Sequence, residues 1–235
     1  EKVCGSESGG FAMARYRIAP EHMIMTIPDD LSFEHAAAGN CTLGCTYTAA
    51  QEIDISANDV VIVAGVGFIG MGAVVNSLYR GATVIVLGRN DYRMQRCREL
   101  GVQHIIDPGD DDWLAQIHAL TGGRRGADAA FECSGAPYYL DRCFAGVRRY
   151  GRIYSMGFSG SGGYEVSILN DVMDRHISWT GGHDVRFRDR DALVRMLGDA
   201  EVQRQIDVLA RHRSPSRRPK RPSKSASRKT AGRAT

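Results

Sequence analysis

The stretch DVVIVAGVGFIG, Asp59 to Gly70, decides the fold. An apolar run rich in Val and Ile leads straight into Gly65-Val66-Gly67-Phe68-Ile69-Gly70, and a long apolar segment without a breaker follows. This reads as strand, glycine turn, helix. A strand that is apolar throughout, rather than at every second residue, suits a sheet covered on both faces. In that setting G-x-G-x-x-G points to a dinucleotide. Gly65 allows the tight turn, Gly67 lets the backbone approach a pyrophosphate, and Gly70 lets the helix pack close on the strand. The N–H groups and positive end of the helix then hold the phosphates. The plain alternative is a glycine turn with no ligand.

The same alternation runs outward from this point. TVIVLG, HIIDP, ADAAFECSG, RIYSMG and ISWTGG read as further strands, six in all. FIGMGAVVNSLYRG, DYRMQRCREL, DDDWLAQIHAL, YYLDRCFAGVRR and RDALVRML read as helices, the last closing the domain. Strands alternating with helices predict an α/β fold, a doubly wound parallel sheet of the Rossmann type, over residues 51–210. Asp110, Asp111 and Asp112 read as a helix start favoured by the macrodipole, not as a metal site.

Residues 1–50 have another character. GGFAMARYRI and HMIMTIP suggest short strands, and DDLSFEHAAA a turn and helix with Ser32 as N-cap. The segment holds too little apolar surface for a domain of its own and reads as the end of a larger one. Residues 211–235 contain no aromatic or branched aliphatic side chain, so a disordered basic tail is expected there. Ten of the 30 Lys and Arg lie in that tail and none of the 27 Asp and Glu, which leaves an acidic body of net −7.

Composition narrows the class further. With 43% hydrophobic and 24% charged residues, the chain suits a globular protein. No apolar run approaches the roughly 18 residues of a membrane span. Nothing near the start resembles a secretory signal, so a cytoplasmic location is the expectation. The six cysteines, at 4, 41, 45, 97, 133 and 143, form no C-x-x-C pair and are expected reduced, Cys97 and Cys143 as buried helix thiols. The tail has the charge to neutralise nucleic-acid phosphates. It lacks interleaved aromatics and any recognition motif, so a nucleic-acid partner is not expected.

Cofactor preference turns on VIVLGRN, Val84 to Asn90. An NAD site places an acid at the end of the second strand to accept from the ribose hydroxyls. Here the strand ends at Leu87 and is followed by Gly88 and Arg89. Gly88 leaves room, Arg89 offers a planar fork to a 2′-phosphate, and Arg93 can add a second charge. This pattern favours NADP. NAD remains possible if Arg89 is a solvated surface residue and Asp91 accepts from the ribose.

The segments GGFAMARYRIAPEHMIMTIPDDLSFEHAA, LGCTYTAA, VVIVAGVGFIGMGA, RCRELGV, FECSGAP and GRIYSMG together resemble the zinc-type medium-chain alcohol and polyol dehydrogenases. The resemblance implies hydride transfer between a small alcohol or carbonyl substrate and NAD(P), a zinc ion polarising the alcohol, and a homo-oligomer. It makes residues 1–50 the end of a GroES-like β-rich catalytic domain. It places Gly65, Gly67, Phe68, Ile69 and Gly70 on the pyrophosphate, Gly88 at the ribose acid, and Arg93 on the adenosine. Cys133, Ser134 and Gly135 fall beside the nicotinamide ribose. Met156, Gly157 and Phe158 fall where backbone meets the carboxamide, and Thr46 and Thr48 where side chains line the nicotinamide pocket. Cys45 corresponds to the last of three zinc ligands, with a buried structural thiol as the alternative, and Cys41 is expected to pack within the helix.

The chain departs from the family in ways that matter. It carries no GHE motif for the other zinc ligands and no four-cysteine structural lobe, and one thiolate alone holds zinc weakly. After RQIDVLA the composition switches to Arg, Pro, Ser and Lys, as a shifted reading frame in GC-rich DNA or a genuine basic tail would produce. The chain is therefore expected to be incomplete for catalysis. Two further readings stand beside the dehydrogenase: a zinc-free quinone or enoyl reductase of the same superfamily, and a non-enzymatic nucleotide-binding module with a nucleic-acid-binding tail. His183 and Asp184 read as a surface polar pair, and Glu132 is assigned no chemistry.

Overall fold

The computed structural model describes residues 3–5, 20, 24–158 and 164–210. The expectations for GGFAMARYRI and for a disordered 211–235 fall on residues outside this set. Ahead of the first helix the described residues form one antiparallel pair, β1 (Val3–Gly5) against β2 (Ile24–Thr26). The expected GroES-like remnant is not seen as a separate β-rich body among the described residues.

Ser32 caps α1 (Phe33–Ala38) as expected, its side chain accepting from His35 N at 3.1 Å. Next comes α2 (Thr42–Glu52), which runs through residue 50 and packs against α3 (Phe68–Tyr79) of the nucleotide domain. Cys41 is not packed inside this helix: it sits exposed at the N-cap, where the chain turns into the first helical residue.

All six expected parallel strands are present: β3 (Val60–Ala64), β4 (Thr83–Leu87), β5 (His104–Ile106), β6 (Ala127–Glu132), β7 (Val147–Ser155) and β8 (Ser178–Gly181). They lie in the order β5-β4-β3-β6-β7-β8, the two-halved doubly wound arrangement. Between them run α4 (Asp91–Leu100), α5 (Trp113–Leu120) and α6 (Pro137–Gly146), and after them α7 (Arg190–Leu197) and α8 (Ala200–Leu209). The period-2 geometry of a strand divides β3 between two cores. Val61 and Val63 face the core shared with α2, α3, α4, α7 and α8, whereas Val60, Ile62 and Ala64 face the core of α5 and α6. Phe131, fully buried in the first core, supplies about 2–3 kcal/mol by leaving water.

Two expected boundaries move. Val147, Arg148 and Arg149 are strand rather than the end of α6, because Val147 pairs with Ala127 of β6. The domain closes with α8, not α7. Asp199 breaks the run after Gly198 and caps the new helix, accepting from the N–H groups of Glu201 and Val202.

Candidate cofactor site

A cleft of about 360 Å³ opens at the C-terminal ends of β3, β4 and β6. This is where the strand order reverses, the position at which open α/β sheets take ligands. Seven of the expected residues line it: Gly65, Gly67, Gly88, Arg89, Arg93, Cys133 and Ser134. Val66, Asn90, Met94 and Tyr139 complete the lining. The sequence carried a signal for Asn90, since it is the N-cap of α4 and accepts from Arg93 N at 3.0 Å. Met94 and Tyr139 come from helices and had no such signal.

The glycines of the turn have different physical reasons. Gly65 has φ +85°, and a Cβ there would lie 2.5 Å from the Cβ of Ser134. A Cβ on Gly70 would lie 2.0 Å from the Gly65 carbonyl oxygen, so both glycines are required by the fold itself. Gly67 is otherwise. Its backbone is extended, with φ −75°, and a Cβ would meet nothing within 4 Å. The protein's own packing does not demand glycine there. Gly67 caps α3, whose first N–H groups have no intrahelical acceptor by position.

The second strand ends as the sequence suggests. Gly88 is buried beneath Met94, and a Cβ there would meet the Met94 methyl at 2.4 Å. Arg89 and Arg93 are exposed at the cleft, and among the described residues no Asp or Glu lines it. The Arg89 guanidinium lies 5.6 Å from the centroid of the Tyr138 ring, whose hydroxyl donates to Pro108 O at 2.7 Å.

The far wall is held by Glu132, a residue without a motif of its own. Glu132 is buried at the end of β6, and its carboxylate accepts from Ser134 N (2.7 Å), Ser134 Oγ (2.6 Å) and Gly135 N (2.9 Å). Its carbonyl accepts from Met156 N and Gly157 N at 2.9 and 3.0 Å. One residue therefore ties together the two loops expected to meet the nicotinamide. Met156 is buried, Phe158 is 89% exposed, Phe68 is 59% exposed and Ile69 is partly buried. Thr46 and Thr48 are buried in α2 and bond inward, Thr46 to Thr42 O and Thr48 to Asp189.

Cys45, the expected zinc ligand, is buried in α2. Its thiol donates to the carbonyl of His183 at 2.7 Å. Burial, then the neighbouring Cys41 thiol and the Asp184 charge, push its pKa up to about 12. Among the described residues no group of three or more His, Cys, Asp or Glu could hold a metal ion, so Cys45 has no set of partner ligands among them. His183 and Asp184 are both exposed, and the His183 ring meets Phe158 edge-on at 6.4 Å. Among the described residues no helix is long and apolar enough to cross a membrane.

Comparison with known proteins gives the same fold and a family. A model of the zinc-binding dehydrogenases matches residues 69–198. A sorbitol dehydrogenase of Halalkalibacterium halodurans is 27% identical over 86% of this chain and 58% of its own length. An L-threonine 3-dehydrogenase of Symbiobacterium thermophilum is 29% identical over 91% of this chain and 60% of its own. Among solved structures, 2R,3R-butanediol dehydrogenase from Bacillus subtilis matches with a TM-score of 0.68 at 25% identity, over 80% of this chain and 55% of that one. The match thus spans about two fifths to three fifths of the length of the curated relatives.

Proposed function

Given that the chain belongs to the zinc-binding dehydrogenase family, we propose that it is the nucleotide-binding part of an alcohol or polyol dehydrogenase and that it binds NADP. One observation carries the cofactor reading. Among the described residues, the cleft at the strand switch is lined by Arg89 and Arg93 and by no carboxylate, beside an N-cap glycine whose added Cβ would meet nothing within 4 Å. The N–H groups at the start of α3 hold the pyrophosphate. Arg89 and Arg93 take the 2′-phosphate, with the Tyr138 ring as platform for Arg89. Cys133, Ser134 and Gly135 border the nicotinamide ribose, held by Glu132, and Met156 to Phe158 offer backbone to the carboxamide. When bound, the nicotinamide supplies the hydride acceptor for an alcohol.

A second reading is a zinc-free quinone or enoyl reductase of the same superfamily; the absence of a metal-holding group among the described residues suits it, whereas Cys45 at the family's zinc-ligand position argues against it. The two readings share the cofactor and differ in the metal.

The test is a titration of the chain with NADPH and NADH, followed by nicotinamide fluorescence, in wild type and Arg89→Ala. Saturable NADPH binding that weakens about tenfold or more in the variant, as loss of a charge-assisted bond of about 1.5–3 kcal/mol requires, supports the reading. Tighter binding of NADH than NADPH overturns it.

A further inference from the structure

The end of the sheet opposite the cofactor cleft carries a second feature. Among the described residues, four other than glycine have left-handed backbones: Asp54 (φ 50°), Arg125 (φ 57°), Tyr150 (φ 62°) and His176 (φ 52°). All four lie in segments at the N-terminal ends of β3, β6, β7 and β8. Glycine takes this conformation freely and a bulky side chain does not. Strain of this kind persists where the surroundings enforce it and collects at functional sites.

Two of these residues, Tyr150 and His176, build one surface, with Arg125 at the neighbouring start of β6. The register of β6 on β7 jumps from Ala127–Val147 to Ala129–Arg152, so Arg148 to Gly151 bulge from the ladder. A bulge re-aims side chains, and this one presents Arg149 and Tyr150. Tyr150 is 61% exposed and stacks on His176, with ring centroids 4.6 Å apart and planes 21° apart. The Arg149 guanidinium lies 5.5 Å from the Tyr150 centroid. Tyr150 N donates to Arg175 O at 2.9 Å, which joins the bulge to the turn before β8. Arg124 and Arg148 close the group from either side of the buried Asp128, each 2.7 Å from its carboxylate. Arg124, Arg125, Arg148, Arg149, Arg152 and Arg175 share this end with Asp54, Asp59, Asp128, Asp171 and Asp174, one cation more than the anions on an otherwise acidic body, and Arg125 and Arg149 lie exposed.

We infer that this surface binds single-stranded nucleic acid, its bases adding to the Arg149–Tyr150–His176 stack and its phosphates running along Arg124 and Arg125. Charge alone would suit any polyanion. The exposed rings supply what charge does not, a sequence-tolerant platform for bases. The aromatic interleaving that the basic tail lacks is assembled here by the fold. This inference does not depend on the cofactor reading.

The test uses the full chain, tail included, with fluorescein-labelled oligothymidylate of about 12 nucleotides in an anisotropy titration, a length within the usual site size. Inorganic polyphosphate serves as the base-free probe. Tyr150→Gly is expected to weaken oligothymidylate binding about tenfold, to leave polyphosphate binding unchanged, and to hold or raise the melting temperature as the strain is released. Arg125→Gly is expected to weaken both ligands. Tyr150→Asn, whose side chain tolerates the left-handed region, gives the same reading if glycine loosens the bulge. Oligothymidylate binding that survives both Tyr150 variants, or that is no tighter than polyphosphate binding in the wild type, overturns the inference.

Discussion

Replacing Gly67 with alanine separates a glycine kept for a ligand from glycines kept for the fold. At Gly67 the added methyl meets nothing within 4 Å and the backbone is one any residue adopts. Two small effects oppose each other. Restricting the unfolded chain stabilises by about 0.4–1 kcal/mol, and alanine is a poorer N-cap than glycine by about 0.5–1 kcal/mol. The net change in stability is therefore within about 0.5 kcal/mol of zero, a shift of about 2 °C at most for a domain of this size. The same methyl would stand between the pyrophosphate and the N–H groups of α3. Losing one bond to a charged oxygen costs about 1.5–3 kcal/mol, which weakens NADPH binding about 10- to 150-fold. Gly70→Ala is the counterpart. Its methyl would lie 2.0 Å from the Gly65 carbonyl oxygen, a backbone atom with little room to move. Overpacking of that kind costs about 1–3 kcal/mol, and each kcal/mol lowers the melting temperature by about 2–4 °C. Thermal melts followed by circular dichroism, paired with NADPH fluorescence titrations, read both quantities. A Gly67→Ala protein that binds NADPH like the wild type, or that melts well below it, would refute the reasoning.

Two further predictions concern stability. Burial raises the Asp128 pKa, but the Val60 N–H and the Arg148 and Arg124 guanidinia outweigh it and hold the carboxyl below the usual range. Asp128→Asn is expected to destabilise by about 1.5–3 kcal/mol at pH 7, less than a fully buried pair because both arginines are partly solvated. The wild-type advantage is present above the unfolded pKa near 4 and shrinks as pH falls through the folded value, measured by urea unfolding at pH 7, 5 and 3.5. Burial pushes the Cys97 thiol up to about 12. Its proton is kept in the folded state and lost from the unfolded one, so the thiol's contribution is intact below about pH 9 and lost between 9 and 12, by up to about 1.4 kcal/mol per pH unit. Urea midpoints at pH 8, 9 and 10 should fall more steeply in wild type than in Cys97→Ala; parallel slopes would contradict this.

The sequence by itself determined the sheet. The central runs VVIVA, TVIVL and ADAAFE, too continuous for a one-faced strand and alternating with helical segments, prescribe a parallel sheet covered on both sides at its centre. It also determined the local chemistry of the cleft, since Gly65 to Gly70 and Gly88–Arg89 are contiguous in the chain and act over a few residues. Only the tertiary structure decided the rest. That Glu132 ties the Ser134 loop to Gly157 depends on β6 and β7 being neighbours, and that Cys45 meets His183 depends on α2 crossing the loop after β8. The Val147 boundary was lost because a strand partner overrode a helical pattern. Tyr150 and His176 stand 26 positions apart and carry no motif. They become a single surface because a bulge and a turn at one end of the sheet hold both in a conformation that no local preference would choose.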